Sequence, residues 1–240
     1  MQVDEVMKKL QSKGYWEVSL KPSTFNPKKF SREQCKEIIQ KCQVRLRGWY
    51  YPTIGNKLEE FYAGENYFAG VVDYSSHIEA WRFYQSGQFV HYHAFWEDWE
   101  KGISWRIGFR PDYDEKQVLK VNGIILTLYT VAEIYQLASN FIKENVFVDK
   151  FTISMILHDT QGRSLALSDP MRMLYKDYKC MIDTIKFEKE YDVKSFDENI
   201  HSNVMEVVLD IFYSFNWVSK DIEKSLSKDL TDFLSGKFAI

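Results

Sequence analysis

The sequence is poor in the residues that interrupt or cross-link a chain. It contains five prolines and three cysteines among 240 residues, whereas 16% of its residues are aromatic. Few prolines and many aromatic rings favour an ordered core over a disordered chain. Cys35, Cys42 and Cys180 form no Cys-x-x-Cys pair, so a zinc site of the usual spacing is excluded. Cys35 and Cys42 fall on one predicted helix stripe about 10 Å apart, too far for a disulfide, so we expect three free, buried thiols.

Motifs that would assign a location or a reaction are also missing. No window of about eighteen apolar residues occurs, so no transmembrane helix is predicted. The first residues, MQVDEVMKKLQSKG, are amphipathic and polar, unlike a signal peptide. The eleven glycines are scattered, which excludes the phosphate loop of P-loop ATPases, and no Gly-x-Ser-x-Gly elbow is present. The default expectation is a cytoplasmic protein with no membrane partner and no cofactor.

The chain carries little net charge. Its formal charge is −3 at pH 7, so bulk attraction to nucleic acid or an anionic membrane is not expected. Nucleic acid or a nucleotide is therefore not the favoured partner, although a local basic strip would still allow one. The length suits one large domain or two small ones. We predict a single domain over residues 1–240, with a candidate subdomain boundary in the polar stretch near residues 111–117.

The rest of the chain is organised around residues 80–98, which read AWRFYQSGQFVHYHAFWED. From Gln88 to Trp96 the pattern predicts a strand, because alternate side chains point to opposite faces. One face would carry Val90, Tyr92, Ala94 and Trp96, and the other Phe89, His91, His93 and Phe95. Neither face is polar, so we expect a central strand covered on both sides, with the two histidines adjacent.

Two interpretations remain for the residues before this strand. In the first, Ser76 and Glu79 form a capping box, a helix runs to about Ser86, and Gly87 ends it in the left-handed conformation. In the second, Ser86 and Gly87 form a two-residue hairpin turn between two strands. The helix is favoured because it has signals at both ends, and the hairpin stays the alternative.

Hydrophobic periodicity over the remaining chain mixes helices and strands without a regular βαβ alternation. The predicted helices span residues 3–13, 31–42, 123–145, 197–215 and 220–235. The predicted strands span residues 16–22, 44–51, 67–74 with a bulge at Gly70, 103–110, 151–157, 163–167 and 178–189. The strands at 151–157 and 163–167 are expected to form a hairpin through Asp159–Gly162. These patterns predict an α+β fold, a mostly antiparallel sheet packed with several helices.

One predicted strand face combines cations with aromatic rings. Arg45, Arg47, Trp49 and Tyr51 alternate along residues 44–51, and Arg82 is expected nearby. Such a face can hold phosphates or stack bases. The simpler interpretation is an ion-paired strand face that packs on a helix. We take Arg45, Arg47, Trp49 and Arg82 as candidate residues for binding a ligand or a partner.

The two histidines of the central strand are the other candidates. His91 and His93, with Glu97 or Asp98, are of the types that bind metals, but a further ligand would have to come from elsewhere, and no metal site is predicted. A two-histidine phosphoesterase would need a second similar strand, and His158 has no partner at that spacing. Histidines packed among aromatic core residues are the simpler interpretation. If the protein is an enzyme, His91 and His93 are the candidate catalytic residues.

The run Arg47-Gly48-Trp49, Pro52 and the stretch from Ala80 to His91 resemble a widespread family of bacterial proteins of unassigned function. The resemblance spans roughly residues 10–100. It implies a bacterial cytosolic context and a gene that works alongside others, as in phage defence. It implies no catalytic activity and no functional residues.

These patterns lead to two functional hypotheses. The first is a non-catalytic binding or accessory protein of a bacterial multi-component system. It would present an aromatic, Arg- and His-containing surface to a protein partner, a second copy of itself or a small ligand. The alternative is an enzyme that processes phosphoesters or nucleotides with His91 or His93 and nearby arginines. Histidines that line an open cleft with the arginines would favour the enzyme, whereas histidines sealed under a helix would favour the binding protein.

Overall fold

The computed structural model describes residues 3–54, 61–101, 105, 107–108, 120–169, 171–218 and 220–237. In these ranges the α-helices are α1 (Val3–Leu10), α2 (Arg32–Cys42), α3 (Ile124–Lys143), α4 (Val193–Phe196), α5 (Ile200–Tyr213) and α6 (Lys220–Leu234). The strands are β1 (Tyr15–Pro22), β2 (Phe61–Ala63), β3 (Tyr67–Tyr74), β4 (His77–Tyr84), β5 (Phe89–Ala94), β6 (Val121–Gly123), β7 (Lys150–His158), β8 (Ser164–Ala166) and β9 (Thr184–Asp192). The strand predicted over residues 103–110 and the boundary predicted near residues 111–117 lie outside the described residues, apart from Trp105, Ile107 and Gly108.

Within the described residues, seven strands form one sheet in the order β2-β3-β4-β5-β1-β7-β9. Every neighbouring pair in this sheet is antiparallel. The short strands β6 and β8 pair separately and in parallel. The predicted α+β class with a mostly antiparallel sheet is confirmed. Strand β5 is the fourth of the seven, so its predicted central position is also confirmed.

Strand β5 is covered on both faces, as its sequence pattern indicated. On the inner face, Phe89 belongs to the main hydrophobic core and contacts Phe141 of α3, with ring centroids 5.7 Å apart. On the outer face, Ala94 belongs to a smaller core that it shares with Val6 and Leu10 of α1. The sheet therefore lies between a thick helical layer on its inner face and the single helix α1 on part of its outer face.

The helix predictions are largely confirmed. At the start of α2 the Ser31 side chain accepts a hydrogen bond from the Gln34 amide at 3.2 Å, and the Gln34 side chain accepts one from the Ser31 amide at 2.8 Å. This is the capping box that the sequence predicted. Helices α3, α5 and α6 lie within the predicted ranges. Although α3 is largely buried, neither it nor any other described helix has the length and apolarity of a bilayer-spanning segment.

The three cysteines are free and buried, as expected. Burial raises the pKa of the Cys35 thiol to about 11. Burial also raises the pKa of the Cys42 thiol to about 12. Both side chains remain thiols at neutral pH and behave as small apolar residues of the α2 stripe.

The helix predicted over residues 76–86 is wrong. The hairpin alternative is right about the two strands, but its two-residue turn is one residue too short. The Tyr84 amide donates to the Gln88 carbonyl at 2.8 Å and closes a three-residue loop between β4 and β5, in which the Gly87 amide donates to the Tyr84 carbonyl at 2.9 Å. Gly87 has a φ of +86°, the left-handed conformation expected at the end of such a loop. The physical reason lies in Ser76 and Glu79, whose side chains bond to Glu100 and to His91 instead of capping a helix.

The strand predicted over residues 44–51 is also wrong. Val44 and Tyr51 form a single antiparallel bridge, with N···O distances of 2.9 and 2.8 Å. Between them the chain turns back at Gly48, whose φ is +85°. A left-handed residue interrupts the alternation of a strand. Residues 44–51, named here the Arg47 loop, therefore do not place their arginines and aromatic rings on one strand face.

The hairpin predicted between residues 151–157 and 163–167 does not form. Strand β7 pairs with β9, and β8 pairs in parallel with β6. The Arg163 side chain is buried and donates from Nε to the Asp159 carbonyl at 2.6 Å and from Nη1 to Asp98 at 2.8 Å. These bonds hold the turn after β7 against the Trp96–Asp98 turn, so the returning chain joins β6 instead of β7.

The bulge predicted at Gly70 is absent, and the glycine has another role. Gly70 is paired with Trp81 in a continuous β3–β4 register. A Cβ atom at position 70 would lie 2.6 Å from the Trp81 indole. The glycine therefore leaves the space that the Trp81 ring occupies.

Candidate functional site

A cavity of about 830 Å³ lies between the N-terminal end of β4, the C-terminal end of β5, the Arg47 loop and the first turns of α3. The segment around Arg172 and helix α6 border it on the far side. The aromatic side chains that line it are Trp16, Trp49, Tyr51, Trp96, Trp105 and Tyr129. The ionisable ones are Arg47, His77, Glu79, His93, Glu97, Asp169, Arg172, Asp229, Asp232 and Lys237. The volume is typical of small-molecule sites, about 300–1,000 Å³.

A buried carboxylate with two histidines lies at the sheet end of the cavity. Glu79 Oε2 is 2.8 Å from His91 Nε2, and Glu79 Oε1 accepts a hydrogen bond from the Thr53 amide at 2.8 Å. His91 Nδ1 is 3.1 Å from the Tyr51 hydroxyl. His77 Nε2 is 3.6 Å from Glu79 Oε1. Both ring nitrogens of His91 are thus engaged, and its side chain is fully buried.

The pKa shifts in this cluster fix its charges. Desolvation acts to raise the pKa of the Glu79 carboxyl, but His77 and His91 outweigh it and hold that pKa well below its usual range. Desolvation acts to lower the pKa of His77, but the Glu79 carboxylate outweighs it and the pKa is raised. Burial, with Glu133 and Glu79 nearby, raises the pKa of Tyr51. At neutral pH, Glu79 is therefore ionised and Tyr51 keeps its proton.

His93 differs from its neighbour His91 although the same strand face carries both. Its ring stacks on Trp16, with centroids 5.7 Å apart and planes 11° apart, and it meets the edge of Tyr51. Burial, followed by the nearby His91, lowers the pKa of His93 well below its ordinary value. Its buried Nε2 has no hydrogen-bond partner among the described residues. His93 is thus a neutral imidazole on the cavity wall.

Arg47 is neutralised by a buried ion pair at the base of its loop. Its guanidinium bonds to the Glu133 carboxylate of α3 and, at 3.3 Å, to the Thr130 hydroxyl. Glu133 is fully buried. The guanidinium also lies over the Trp49 ring, 5.3 Å from its centroid. Arg47 therefore fixes the loop to α3 and holds Trp49 beside the cavity.

The other two candidate arginines are elsewhere. Arg45 is exposed and lies over the Tyr50 ring at 5.3 Å. Arg82 is exposed on the outer face of β4, 5.2 Å from the Tyr67 ring centroid. Of the four candidate binding residues, Arg47 and Trp49 line the cavity, whereas Arg45 and Arg82 are not among its lining residues.

Glu97 connects the turn after β5 to the start of α3. Its Oε1 accepts a hydrogen bond from the Gly123 amide at 2.6 Å. Burial raises the pKa of Glu97 to about 7. A Cβ atom at Gly123 would lie 3.1 Å from Glu97 Oε1 and 3.1 Å from the Trp105 ring. The neighbouring Asn122 is 2% exposed, and its Oδ1 has no partner in the described part of the chain.

The residues considered as metal ligands bond to different partners instead of converging on one point. His91 bonds to Glu79, Glu97 to the Gly123 amide, and Asp98 to Arg163 at 2.8 Å. Among the described residues no group of three or more His, Cys, Asp or Glu side chains is arranged to hold a metal ion. His93 and Glu97 share the cavity wall, but as separate groups.

The far side of the cavity is rich in carboxylates. Arg172 donates to Asp229 of α6 through two nitrogens, at 2.5 and 2.7 Å, and its Nε is 3.2 Å from Asp169. Asp232 and Lys237 also line this side. No periodicity or motif in the sequence connects these positions, because tertiary packing alone brings them together.

His77 and Glu79 were also missed by the sequence reasoning, because their place in the site depends on the register of one hairpin. The hairpin loop after Tyr84 sets the register that pairs Trp81 with His91 and Glu79 with His93. The two-residue turn of the hairpin alternative would have paired Glu79 with Ala94, one residue away from the observed register and on the sheet face opposite the histidines. Neither interpretation of the sequence therefore placed Glu79 beside His91 and His93.

Comparison with known proteins supplies no name for the ligand of this cavity. The resemblance of residues 47–52 and 80–91 to a bacterial family of unassigned function stays a prediction. Compared with protein-family models, curated proteins and solved structures, the chain matches none of them.

Proposed function

We propose that this protein binds a small organic molecule in the cavity beside β5 and acts as a non-catalytic binding component. The supporting observation is the cavity itself, about 830 Å³ in volume, with four tryptophans and two tyrosines among its described lining residues. Concave, mostly apolar sites with a few oriented polar groups are the usual form of ligand pockets. Membership of a bacterial multi-component system such as phage defence belongs to this proposal and rests on the resemblance alone.

The state of the polar groups favours binding over phosphoester chemistry. His91, one of the two candidate catalytic residues, is sealed from the cavity by its bonds to Glu79 and Tyr51. Arg47 and Arg172, the lining arginines, are already paired with carboxylates. A phosphate group would therefore meet no unpaired guanidinium on either of them.

One observation supports an enzyme as the second candidate. Glu97, whose pKa is raised to about 7, and the neutral His93 line the same cavity. Groups that titrate near the working pH are the usual general acids and bases. This enzyme would act on a molecule held by the tryptophans, without the arginine clamp that phosphoester transfer requires.

The cavity is tested by filling it. Leu126 of α3 lines the cavity, so Leu126→Trp should occupy part of its volume. Tyr213→Trp, on the exposed surface of α5, is the matched control. Titration with the uncharged fluorescent dye Nile red should give saturable binding to the wild type and the control, and at least about tenfold weaker binding to Leu126→Trp. Equal affinities for all three proteins, or no binding to the wild type, would contradict the proposal.

A further inference from the structure

The charges around the cavity are unbalanced. The described lining residues include five carboxyl groups, namely Glu79, Glu97, Asp169, Asp229 and Asp232, of which Glu97 with its raised pKa is only partly ionised near pH 7. The basic lining residues are Arg47, Arg172, Lys237 and His77, whose pKa is raised. Arg47 is paired with a further carboxylate, Glu133, that lies behind the lining. An anionic molecule entering this cavity would be repelled by the excess negative charge. The same field attracts a cation.

The tryptophans provide the surface that organic cations prefer. The indole face is the best aromatic partner for a cation. The chain already uses this contact near the cavity, where the Arg47 guanidinium lies over Trp49, and outside it, where Lys13 Nζ lies 4.0 Å from the Trp99 ring centroid. No described cation of the chain lies over Trp96 or Trp105. Within the described part of the chain, these two rings of the cavity wall therefore hold no cation.

Three acceptor and aromatic groups meet at the start of α3. The Glu97 carboxylate and the Trp105 ring both approach Gly123, since a Cβ atom there would lie 3.1 Å from each of them. Asn122 Oδ1 is a buried acceptor without a partner among the described residues. A carboxylate, an indole and an unpaired amide oxygen are the groups that an N–H-bearing cation would engage together.

On these grounds we infer that the cavity takes an organic cation, an ammonium group carried on an apolar or aromatic body, with the ammonium beside Glu97, Asn122 and Trp105. This inference rests on the proposed ligand-binding function of the same cavity. The raised pKa of Glu97 agrees with it, because a bound ammonium would favour the ionised carboxylate and expel its proton.

A matched series of probes tests the charge of the ligand. 2-Phenylethylamine, 2-phenylethanol and phenylacetate share an aromatic body and differ in charge. Each would be titrated against dye-loaded protein at pH 8, where a primary amine is still protonated. We expect the amine to displace the dye at a concentration at least about tenfold lower than the alcohol, and phenylacetate to be the weakest.

The variant Glu97→Gln identifies the group that recognises the charge. It keeps an oxygen for the Gly123 amide but removes the negative charge, and Glu188→Gln on the exposed side of β9 is the matched control. The preference for the amine should fall to within about threefold of the alcohol in Glu97→Gln and persist in Glu188→Gln. Calorimetry at pH 7 in two buffers should detect a released proton fraction on amine binding to the wild type and none with Glu97→Gln.

The outcomes separate the two proposals. Equal displacement by all three probes, or displacement by none of them while the dye still binds the cavity, overturns the cation inference and leaves the binding function standing. Unchanged amine preference in Glu97→Gln overturns the assignment of the ammonium to this carboxylate. Failure of the dye itself to bind overturns the binding function, and the cation inference falls with it.

Discussion

The inner face of β5 differs sharply between its two ends. At Phe89 the strand is packed against Phe141 and is part of the main hydrophobic core. Four residues further on, His93 lines a cavity and leaves a buried nitrogen without a partner in the described residues. Packing of apolar rings stabilises the first end, whereas an unpaired buried polar atom destabilises the second. The comparison teaches that one strand face can serve the core at one end and a binding site at the other.

Helix α3, which faces β5, likewise has an apolar half and a polar half. Its C-terminal half presents Phe141 to the sheet, and its N-terminal half carries Thr130 and Glu133, which hold Arg47. The polar end of the strand and the polar end of the helix therefore meet at the same place. Natural proteins keep locally unfavourable groups mainly where function uses them, which is why the cavity end is the candidate site.

The largest expected effect on stability is at the apolar Phe89 end of β5. Phe89→Ala should lower the free energy of unfolding by about 3–5 kcal/mol, because it removes a large buried ring and leaves a cavity. Urea unfolding of the purified variant measures the loss. A loss below about 1.5 kcal/mol would mean that the Phe89 end is not the stabilising half of the strand face.

The middle of the strand face should respond nearly as strongly. Glu79→Ala leaves His91 and the Thr53 amide without their buried partner, and should cost about 3 kcal/mol at pH 7. Because the folded pKa of Glu79 is lowered, the wild-type advantage is present above the unfolded carboxyl pKa. It declines progressively as the pH falls below the unfolded carboxyl pKa and is fully lost once the pH has passed the folded value. Unfolding curves at pH 7 and pH 3 check both the size and the direction, and a variant as stable as the wild type at pH 7 would contradict it.

At the cavity end the expected effect is smaller and changes with pH. The folded pKa of Glu97 is raised to about 7, so its contribution to stability is present below the unfolded carboxyl pKa and is lost as the pH rises through about 7. Glu97→Gln should therefore gain about 2–3 kcal/mol relative to the wild type between pH 5 and pH 8.5. Unfolding free energies at both pH values, with Glu188→Gln as control, measure this. Parallel pH profiles for the two variants would rule it out.

The smallest effect belongs to His93. His93→Phe removes the unpaired nitrogen and keeps a ring that can stack on Trp16, so stability should change by less than about 1 kcal/mol, in the stabilising direction. The affinity for the dye should change more than the stability. Thermal unfolding and dye titration of the same sample compare the two quantities. A stability loss as large as that of Phe89→Ala would erase the difference between the two ends.

The sequence predicted the helices and strands of the fold better than it predicted the residues of the site. Alternation identified β5, and long apolar periodicity identified α3, because these patterns are fixed by burial on regular elements. It failed at residues 76–86, where Ser76, Glu79 and Gly87 satisfy helix-capping rules as well as they satisfy a hairpin. Only tertiary partners decide between them, since Glu79 bonds to His91 across the sheet. Local signals cannot reveal such a contact.

The residues of the site also fall into those that the sequence could indicate and those that it could not. His93, Arg47 and Trp49 could be singled out from the sequence because their residue types and neighbours are unusual, and all three line the cavity. Arg172 and Asp229 could not, since 57 residues separate them and an ordinary helix and loop carry them. Arg82 was misplaced because the incorrect helix gave no information about which sheet face it occupies.

The contact between Gly70 and Trp81 also constrains how this sheet can evolve. Any side chain at position 70 would lie within 2.6 Å of the Trp81 ring, so neither position can drift independently of the other. A larger residue at 70 becomes acceptable only after Trp81 has been replaced by a smaller one, whereas losing Trp81 first leaves a void opposite a glycine. The two positions form an epistatic pair. Homologues that lack the tryptophan should therefore be those in which position 70 is no longer glycine.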